Sequence, residues 1–168
     1  LEVNKQMLDI TLKWVKGEIN DAIIFGLVGA ALLVTALFFF KASGFSKHLA
    51  IPLLIASSSI ILISISNIWV NKKRLTEFTT AYDLDKDAFH ESEIERVQGF
   101  QSTYKYSAIL LGTSIFIGFL LFVGFTKPSI KAIGLILILF GLIGGFIDFY
   151  SLERATTYQK SLNINRVV

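Results

Sequence analysis

One carboxylate lies at the end of an apolar stretch, where an acid could move an ion or hold a structure together. Asp148 directly follows the uncharged run from Ala132 to Ile147. An ionisable side chain within a membrane span is costly because hydrocarbon does not solvate charge, so by default it marks a functional site. At the end of a span it can instead pair with a polar neighbour, and the candidates are Asn67, Asn71 and Lys105. A structural role and a role in ion or proton movement both stay open.

A second group of carboxylates forms a dense run in the polar middle of the chain. Its members are Asp83, Asp85, Asp87, Glu91, Glu93 and Glu95. A calcium-binding EF-hand loop needs Gly at its sixth position and Glu at its twelfth, but these positions hold Ala88 and Ile94. The run is therefore interpreted as a solvated acidic face, with a docking surface for a basic partner as the alternative.

The sequence carries no recognisable catalytic, metal or cofactor signature. It contains no cysteine, which excludes disulfides, thiolate metal sites and cysteine nucleophiles. Its two histidines, His48 and His90, are separated by a whole apolar run and cannot jointly ligate one haem iron. A Ser/His/Asp grouping and a glycine-rich phosphate loop are also missing. We expect no cofactor, no metal and no enzymatic activity.

Four uncharged apolar runs must position these polar groups. They cover Ala22 to Phe40, Leu49 to Val70, Tyr106 to Thr126 and Ala132 to Ile147. Each run, with its flanks, is about as long as a helix needs to cross the ~30 Å hydrocarbon core of a bilayer. The fold class is therefore predicted as all-α, a polytopic membrane protein with four transmembrane helices.

The four spans are predicted to form two tandem helical hairpins. In both hairpins the short loop contains Lys and Ser, and a proline, Pro52 or Pro128, lies near the start of the returning helix. A missing backbone N–H costs least in the first turn of a helix. The two hairpins would then share one orientation in the membrane.

The polar segments complete a single membrane domain over residues 1–168. Residues 1–19 carry four apolar residues on one helical face, namely Leu8, Leu12, Val15 and Ile19. Such a helix is expected to lie in the membrane interface, with a straight extension of the first span as the alternative. The other segments are hairpin 1 at 20–70, a helical connector at 71–105, hairpin 2 at 106–152 and a tail at 153–168.

The connector is expected to contain two short helices. Two sets of three residues have the spacing of apolar helix faces: Leu75, Phe78 and Tyr82, then Val97, Phe100 and Tyr104. The second set runs directly into the third span. Residues 83–87 separate the sets and supply candidate N-cap residues, because an aspartate oxygen can accept from the free N–H groups of a first turn.

Charge predicts the orientation of the chain. We call the side that holds the two termini and the connector the near side, and the side that holds the two short loops the far side. Of sixteen Lys and Arg residues, only Lys41, Lys47, Lys127 and Lys131 lie on the far side. Because basic loops stay in the cytoplasm, we expect the near side, with the N- and C-termini, to be cytoplasmic. The net charge of +3 does not suggest nucleic-acid binding.

Small residues mark helix faces that can pack closely. In the fourth span Gly134, Gly141 and Gly145 form such a seam, and the last two make a GxxxG pair. Small residues let helix backbones approach in a membrane, where the hydrophobic effect no longer drives association. The seam serves either packing within the chain or an oligomer contact.

Several charged and aromatic residues flank the third and fourth spans on the near side. They are Glu95, Arg96, Phe100, Tyr104, Lys105, Asp148, Arg154 and Tyr158. In this pattern the chain resembles a group of small bacterial inner-membrane proteins with four spans and no assigned activity. The resemblance covers mainly the second half of the chain. It implies a bacterial origin, a location in the inner membrane and a cytoplasmic cluster of these residues, and it brings no catalytic or ligand-binding residues with it.

The sequence therefore predicts a non-enzymatic inner-membrane protein that acts through protein–protein interaction. It would be an accessory subunit of a membrane complex or a protective, immunity-type binder. Its partners are expected to be the lipid bilayer and either another membrane protein or further copies of the chain, and no nucleic acid. The alternative is a small oligomeric channel or transporter.

Overall fold

A computed structural model describes residues 2–164, with side chains described for residues 7–100 and 103–162. Over this part the chain consists of four helices and contains no strand. The helices are α1 (Glu2–Phe39), α2 (Phe45–Leu84), α3 (Lys86–Gly124) and α4 (Pro128–Ile164). Short connections join them into an up-and-down arrangement.

All four helices are apolar enough and long enough to cross a membrane. The chain is therefore a multi-pass membrane protein by the length and composition of its helices. At a rise of 1.5 Å per residue each helix is about 55–60 Å long, almost twice the hydrocarbon thickness. We call the four apolar runs the membrane half, and residues 2–21, 71–105 and 148–164 the near-side bundle.

The N-terminal segment differs from the predicted interfacial helix. Residues 2–39 form one uninterrupted helix, so the segment is the straight extension that the sequence left as an alternative. Its apolar face packs against the other helices rather than lipid, and Val15 is fully buried. No proline interrupts this stretch, and the other three helices offer an apolar surface at the same level.

The connector also differs from the prediction of separate short helices. Its residues continue α2 to Leu84 and begin α3 at Lys86, so one turn at Asp85 is the whole connection. The Asp85 carboxylate accepts from the backbone N–H groups of Asp87 and Ala88, both at 3.0 Å. This cap satisfies two N–H groups that the first turn of α3 leaves free.

The predicted tail is helical as far as the structure describes it. α4 continues to Ile164 without interruption. Residue 1 of the predicted N-terminal segment and residues 165–168 of the tail lie outside the described residues.

The helices pack as two close pairs that meet through α4. α1 lies mainly along α2, and α3 lies mainly along α4. α4 also contacts α1 and α2, whereas α1 and α3 make the least contact. On the far side the first turns of α2 and α4 touch, because Ser129 Oγ and His48 Nδ1 lie 3.0 Å apart.

The near-side bundle has an apolar core to which all four helices contribute. Its buried members are Met7, Trp14, Val15, Tyr82, Phe89, Val97, Tyr158 and Leu162. Leu75, Phe78 and Phe100 pack against this core. The apolar helix faces predicted from the sequence therefore pack against one another in this core.

The membrane half is held by small residues at close contacts. A Cβ on Gly118 would lie 2.6 Å from the carbonyl oxygen of Gly134, and a Cβ on Gly134 would lie 2.5 Å from that of Gly118. One hydrogen bond joins the two helices of each pair. Ser64 Oγ on α2 donates to the Ala22 carbonyl on α1 at 2.6 Å, and Ser114 Oγ on α3 donates to the Leu137 carbonyl on α4 at 3.0 Å.

The predicted glycine seam of the fourth span divides into two parts. Gly134 and Gly141 both face α3 within the chain, because a Cβ on Gly141 would lie 2.5 Å from Ile115 Cγ1. Gly145 does not belong to this contact, since a Cβ there would meet nothing within 4 Å. Four residues advance a helix by about 400°, so Gly145 lies some 40° away from the face of Gly141.

Candidate functional site

A buried ion pair lies in the middle of the near-side bundle. Arg96 contacts Glu93, one turn earlier on α3, through both carboxylate oxygens: Nε donates to Oε1 at 2.7 Å and Nη2 donates to Oε2. The side chain of Glu93 is only 2% exposed. A fork-shaped, bidentate pair of this kind fixes the geometry of both side chains.

Aromatic rings from three helices surround the Arg96 guanidinium. Its central carbon lies 4.7 Å from the ring centre of Trp14 on α1, 4.9 Å from Phe78 on α2 and 5.1 Å from Phe100 on α3. A guanidinium within about 6 Å of an aromatic ring is attracted by the negative ring face. The Nη1 atom of this guanidinium is buried and has no hydrogen-bond partner among the described residues.

The fourth helix reaches the same ion pair through a tyrosine. Tyr158 on α4 donates its hydroxyl proton to Glu93 Oε2 at 2.7 Å, and its oxygen lies 2.8 Å from Thr11 Oγ1. Thr11 Oγ1 also donates to the Met7 carbonyl oxygen of its own helix at 3.0 Å. The contacts of Tyr158 thus link Thr11 on α1 to Glu93 on α3. We call these residues, with Arg96 and its three aromatic rings, the Arg96 cluster.

Burial keeps Tyr158 in its neutral form. This residue lies outside the apolar runs, and desolvation raises its pKa well above its ordinary value of 10.0, with the neighbouring Glu93 carboxylate acting in the same direction. A phenol that keeps its proton remains a donor to Glu93 at all physiological pH values.

A second polar group lies closer to the membrane half. Arg154 on α4 forms ion pairs with Asp21 and, at 3.9 Å, with Glu18, both on α1. Gly17 leaves room for the guanidinium, since a Cβ there would lie 2.6 Å from Arg154 Nη1. Ser151 Oγ donates to Glu18 at 3.4 Å and lies 2.7 Å from the hydroxyl of Tyr104. We call these residues the Arg154 cluster.

The Glu18 carboxylate contacts both Arg154 and Ser151. It lies before the first apolar run, where burial raises its pKa and the Arg154 guanidinium and the Ser151 hydroxyl lower it in part. Ser151 gives its only proton to Glu18, so Tyr104 must donate to Ser151. The hydrogen bonds run from Tyr104 to Ser151 to Glu18.

A cavity of about 280 Å³ lies between the helices beside the Arg154 cluster. Three carboxylates line it, those of Glu18, Asp21 and Asp148. The amide of Asn67 and the hydroxyls of Ser107 and Ser151 line it as well, and the remaining wall is apolar. The described residues contain no group of three acidic or histidine side chains placed to hold a metal ion.

Asp148 differs from the other two carboxylates of this cavity. Its Oδ2 is buried and has no hydrogen-bond partner among the described residues. The pairings predicted with Asn67, Asn71 and Lys105 are not made: Asn71 bonds to the Asn67 carbonyl and to Arg74 instead, and Lys105 is exposed.

The structure brings the predicted near-side residues together in two groups rather than one. Arg96, Phe100 and Tyr158 meet in the Arg96 cluster, and Tyr104 and Arg154 meet in the Arg154 cluster. Asp148 lies at the adjoining cavity, and Lys105 belongs to none of these sites. The single cytoplasmic cluster expected from the sequence, which included Lys105 and Asp148, is therefore not formed.

Sequence reasoning missed several members of these sites. Glu93 was assigned to the solvated acidic run, although it shares a helical face with Phe89, Val97 and Phe100 at spacings of four and seven residues. That spacing was the available signal. Thr11, Glu18 and Asp21 gave no comparable signal, because their partners lie more than 100 residues away in the chain.

Comparison with known proteins gives no match: no family model, no curated protein and no solved structure is similar to this chain.

Proposed function

We propose that this chain is a non-enzymatic protein of the bacterial inner membrane that binds another protein through its near-side bundle, with both termini in the cytoplasm. One observation carries the proposal. Glu93 and Arg96 inside the bundle are paired with each other, while the carboxylates at its tip remain exposed to solvent.

The tip is the end of the bundle farthest from the membrane half. Four exposed carboxylates lie at or near the turn between α2 and α3, those of Asp83, Asp85, Asp87 and Glu91, and the exposed Glu95 lies further along α3. Leu84 lies among them with 82% of its surface exposed. From Val70 to this turn α2 rises about 20 Å, so the tip stands clear of the headgroups. Such a surface suits a basic partner with an apolar contact residue.

A rigid support favours binding at this tip. The Arg96 cluster joins all four helices below it, and the Asp85 cap fixes the turn itself. A surface that is already ordered loses little conformational entropy on association. Complementary charge would mainly raise the association rate and exclude partners of like charge.

The partner would be a membrane complex to which the chain is an accessory subunit, or a membrane-active protein from which it protects its host. Both classes require the same exposed tip. The excess of basic residues on the near side supports the cytoplasmic assignment of that tip.

The decisive experiment is native mass spectrometry of the chain extracted gently from the membranes of its own host. A foreign subunit in fixed stoichiometry is expected. Glu91→Lys at the tip should release it, whereas Glu153→Lys, an exposed acid close to the membrane half, should retain it. Recovery of the wild-type chain alone, or equal release by both variants, would refute the proposal.

The second candidate is a small oligomeric channel or transporter. The acidic cavity beside the Arg154 cluster favours it, since it would attract cations at the near side of the membrane half. Against it, the groove between α2 and α4 toward the far side is lined by apolar residues such as Ile51, Ile55 and Ile136. A flux of ions or small cations into proteoliposomes would support this candidate.

A further inference from the structure

We propose that the acidic cavity between the two helix pairs binds a small organic cation through its ammonium group, and that Asp148 is the carboxylate that holds it. This inference is independent of the partner proposed for the tip of the bundle.

The charges around the cavity leave one carboxylate unpaired. Glu18 and Asp21 are both engaged by Arg154. Asp148 has no such partner, and its buried Oδ2 accepts no hydrogen bond from any described residue. An oxygen of this kind is costly unless a donor reaches it, and in native structures it often marks a bound ion or water.

Other oxygens of the cavity can complete the coordination of a cation. Ser107 and Ser151 supply hydroxyl groups, and Asn67 supplies an amide. A primary ammonium has three N–H donors, so it can bond to Asp148 and to two of these neutral oxygens at once. The apolar remainder of the wall would contact the carbon atoms of the ligand.

The shape of the cavity favours an organic cation over a bare metal ion. The acids are not placed to converge on one metal, and about 280 Å³ is far more space than a dehydrated metal ion fills. It is enough for several water molecules, each of which occupies about 30 Å³ in the liquid. An ammonium with a short carbon chain fits this space and needs no converging acid groups.

Such an ammonium could come from a soluble amine or from the headgroup of an aminophospholipid. The cavity lies where the apolar runs end, beside Asp148, which is the level of the lipid headgroups. The chemistry recognised is the same in the two cases, so the two sources are arms of one experiment.

The experiment uses the full chain in nanodiscs of phosphatidylcholine and phosphatidylglycerol, neither of which carries a primary amine. The thermal unfolding midpoint is measured against rising ethanolamine hydrochloride. Potassium chloride and tetramethylammonium chloride, which has the same charge but no N–H group, are the controls at equal ionic strength. A saturable rise with ethanolamine alone is expected.

Two variants then test whether ethanolamine binds at Asp148. Asp148→Asn should weaken the apparent affinity for ethanolamine by about tenfold or more, because it removes a charge-assisted hydrogen bond. Glu153→Gln, the exposed acid little more than a turn away, should leave the affinity unchanged. If Asp148→Asn does not fold, the comparison of ethanolamine with tetramethylammonium on the wild-type chain still decides the proposal.

A second arm identifies the source of the amine. Nanodiscs that include phosphatidylethanolamine should raise the midpoint without added ethanolamine if a lipid headgroup fills the cavity, and should have no effect if a soluble amine does. The proposal is overturned if neither amine raises the midpoint above the salt controls, or if Asp148→Asn responds as the wild type does. The cavity would then contain water only.

Discussion

The near-side bundle and the membrane half are built from the same four helices, yet different residues hold them together. The bundle buries large aromatic and charged side chains, among them Trp14, Phe89, Glu93 and Tyr158. In the membrane half the helices meet at small residues, as where Gly118 faces Gly134 and where Ser64 bonds to the Ala22 carbonyl. Many of its large apolar side chains are exposed on the outside.

The solvent explains this difference. In water, burial of apolar area stabilises a core, so wide rings at the centre of four helices contribute most. In lipid, burial of a leucine gains little, and helices associate through close backbone packing and interhelical hydrogen bonds. A chain that crosses from one solvent to the other must therefore change its packing residues part-way along each helix.

The largest loss of unfolding free energy is expected when the charge of Glu93 at the centre of the bundle is removed. Glu93→Gln leaves the Arg96 guanidinium buried without a counter-charge, and loss of one partner of a buried pair costs about 3–5 kcal/mol of unfolding free energy. Equilibrium unfolding in detergent, followed by circular dichroism, measures this loss. Glu91→Gln is the matched control, because that acid is exposed on the same helix, and it should change stability by no more than about 0.5 kcal/mol.

A double variant shows what the pair itself contributes. Replacing Glu93 by Leu and Arg96 by Met together removes both charges at similar volume, so most of the loss caused by Glu93→Gln should be recovered. A double variant as unstable as the single one would mean that the aromatic contacts of Arg96 dominate, and not its charge balance.

The apolar faces of the bundle could be predicted from spacing alone. Leu75, Phe78 and Tyr82 form one such face, Val97 and Phe100 belong to another, and all five contribute to the near-side core. Helical periodicity reports which face is buried. It does not report what covers that face, so the N-terminal segment was predicted to lie on lipid when it packs against three other helices.

The polar sites could be predicted only in part, for a related reason. Local spacing brings Glu93 and Arg96 together on α3. The approach of Thr11, Trp14 and Tyr158 depends on how three further helices align, and no local pattern encodes that alignment. Single residues such as Arg96 and Arg154 were therefore recognised, while the division into two clusters was not.

The next largest loss of stability is expected when the close backbone packing of the membrane half is disturbed. Gly134→Ala places a Cβ within 2.5 Å of the Gly118 carbonyl oxygen and 2.8 Å of the Phe122 nitrogen. Both are backbone atoms that cannot rotate away, so α3 and α4 must separate, at a cost of about 1–3 kcal/mol. Resistance to unfolding by sodium dodecyl sulfate measures the change.

Gly145→Ala is the control for this packing contact. A Cβ at Gly145 meets nothing within 4 Å, so the substitution should be neutral or stabilise the helix by up to about 1 kcal/mol. Equal destabilisation by both variants would place Gly145 in a contact with another molecule and restore the oligomer interpretation of the seam.

A smaller effect tests the hydrogen bond from Tyr158 to Glu93. Tyr158→Phe removes one donor to Oε2, while Arg96 still donates to that oxygen and Thr11 still donates to the Met7 carbonyl. The expected cost is therefore about 0.5–1.5 kcal/mol at neutral pH. Thr157→Val is the control, because the hydroxyl of Thr157 is exposed and bonds only within its own helix turn. Unfolding free energies in detergent measure both.

The raised pKa of Tyr158 also predicts how the unfolding free energy depends on pH. The pKa of Tyr158 is raised in the folded chain above its ordinary value of 10.0, so its stabilising contribution is complete below that value and is lost as the pH rises above it. Tyr158→Phe should therefore show a shallower fall in unfolding free energy than the wild type between about pH 9 and about pH 11. Parallel curves for the two proteins would contradict the assigned proton.

The smallest expected effect concerns a single hydrogen bond in the membrane half. Ser64→Ala removes the bond from Oγ to the Ala22 carbonyl, which joins α2 to α1. Interhelical hydrogen bonds in membranes contribute about 0.6 kcal/mol on average, because the separated helices find other partners for their polar groups. Ser59→Ala is the matched control, since the Ser59 hydroxyl bonds only to the Ile55 carbonyl of its own helix. If Ser64→Ala costs as much as Gly134→Ala, hydrogen bonds rather than backbone proximity hold the membrane half together, and the contrast with the near-side bundle would have to be restated in those terms.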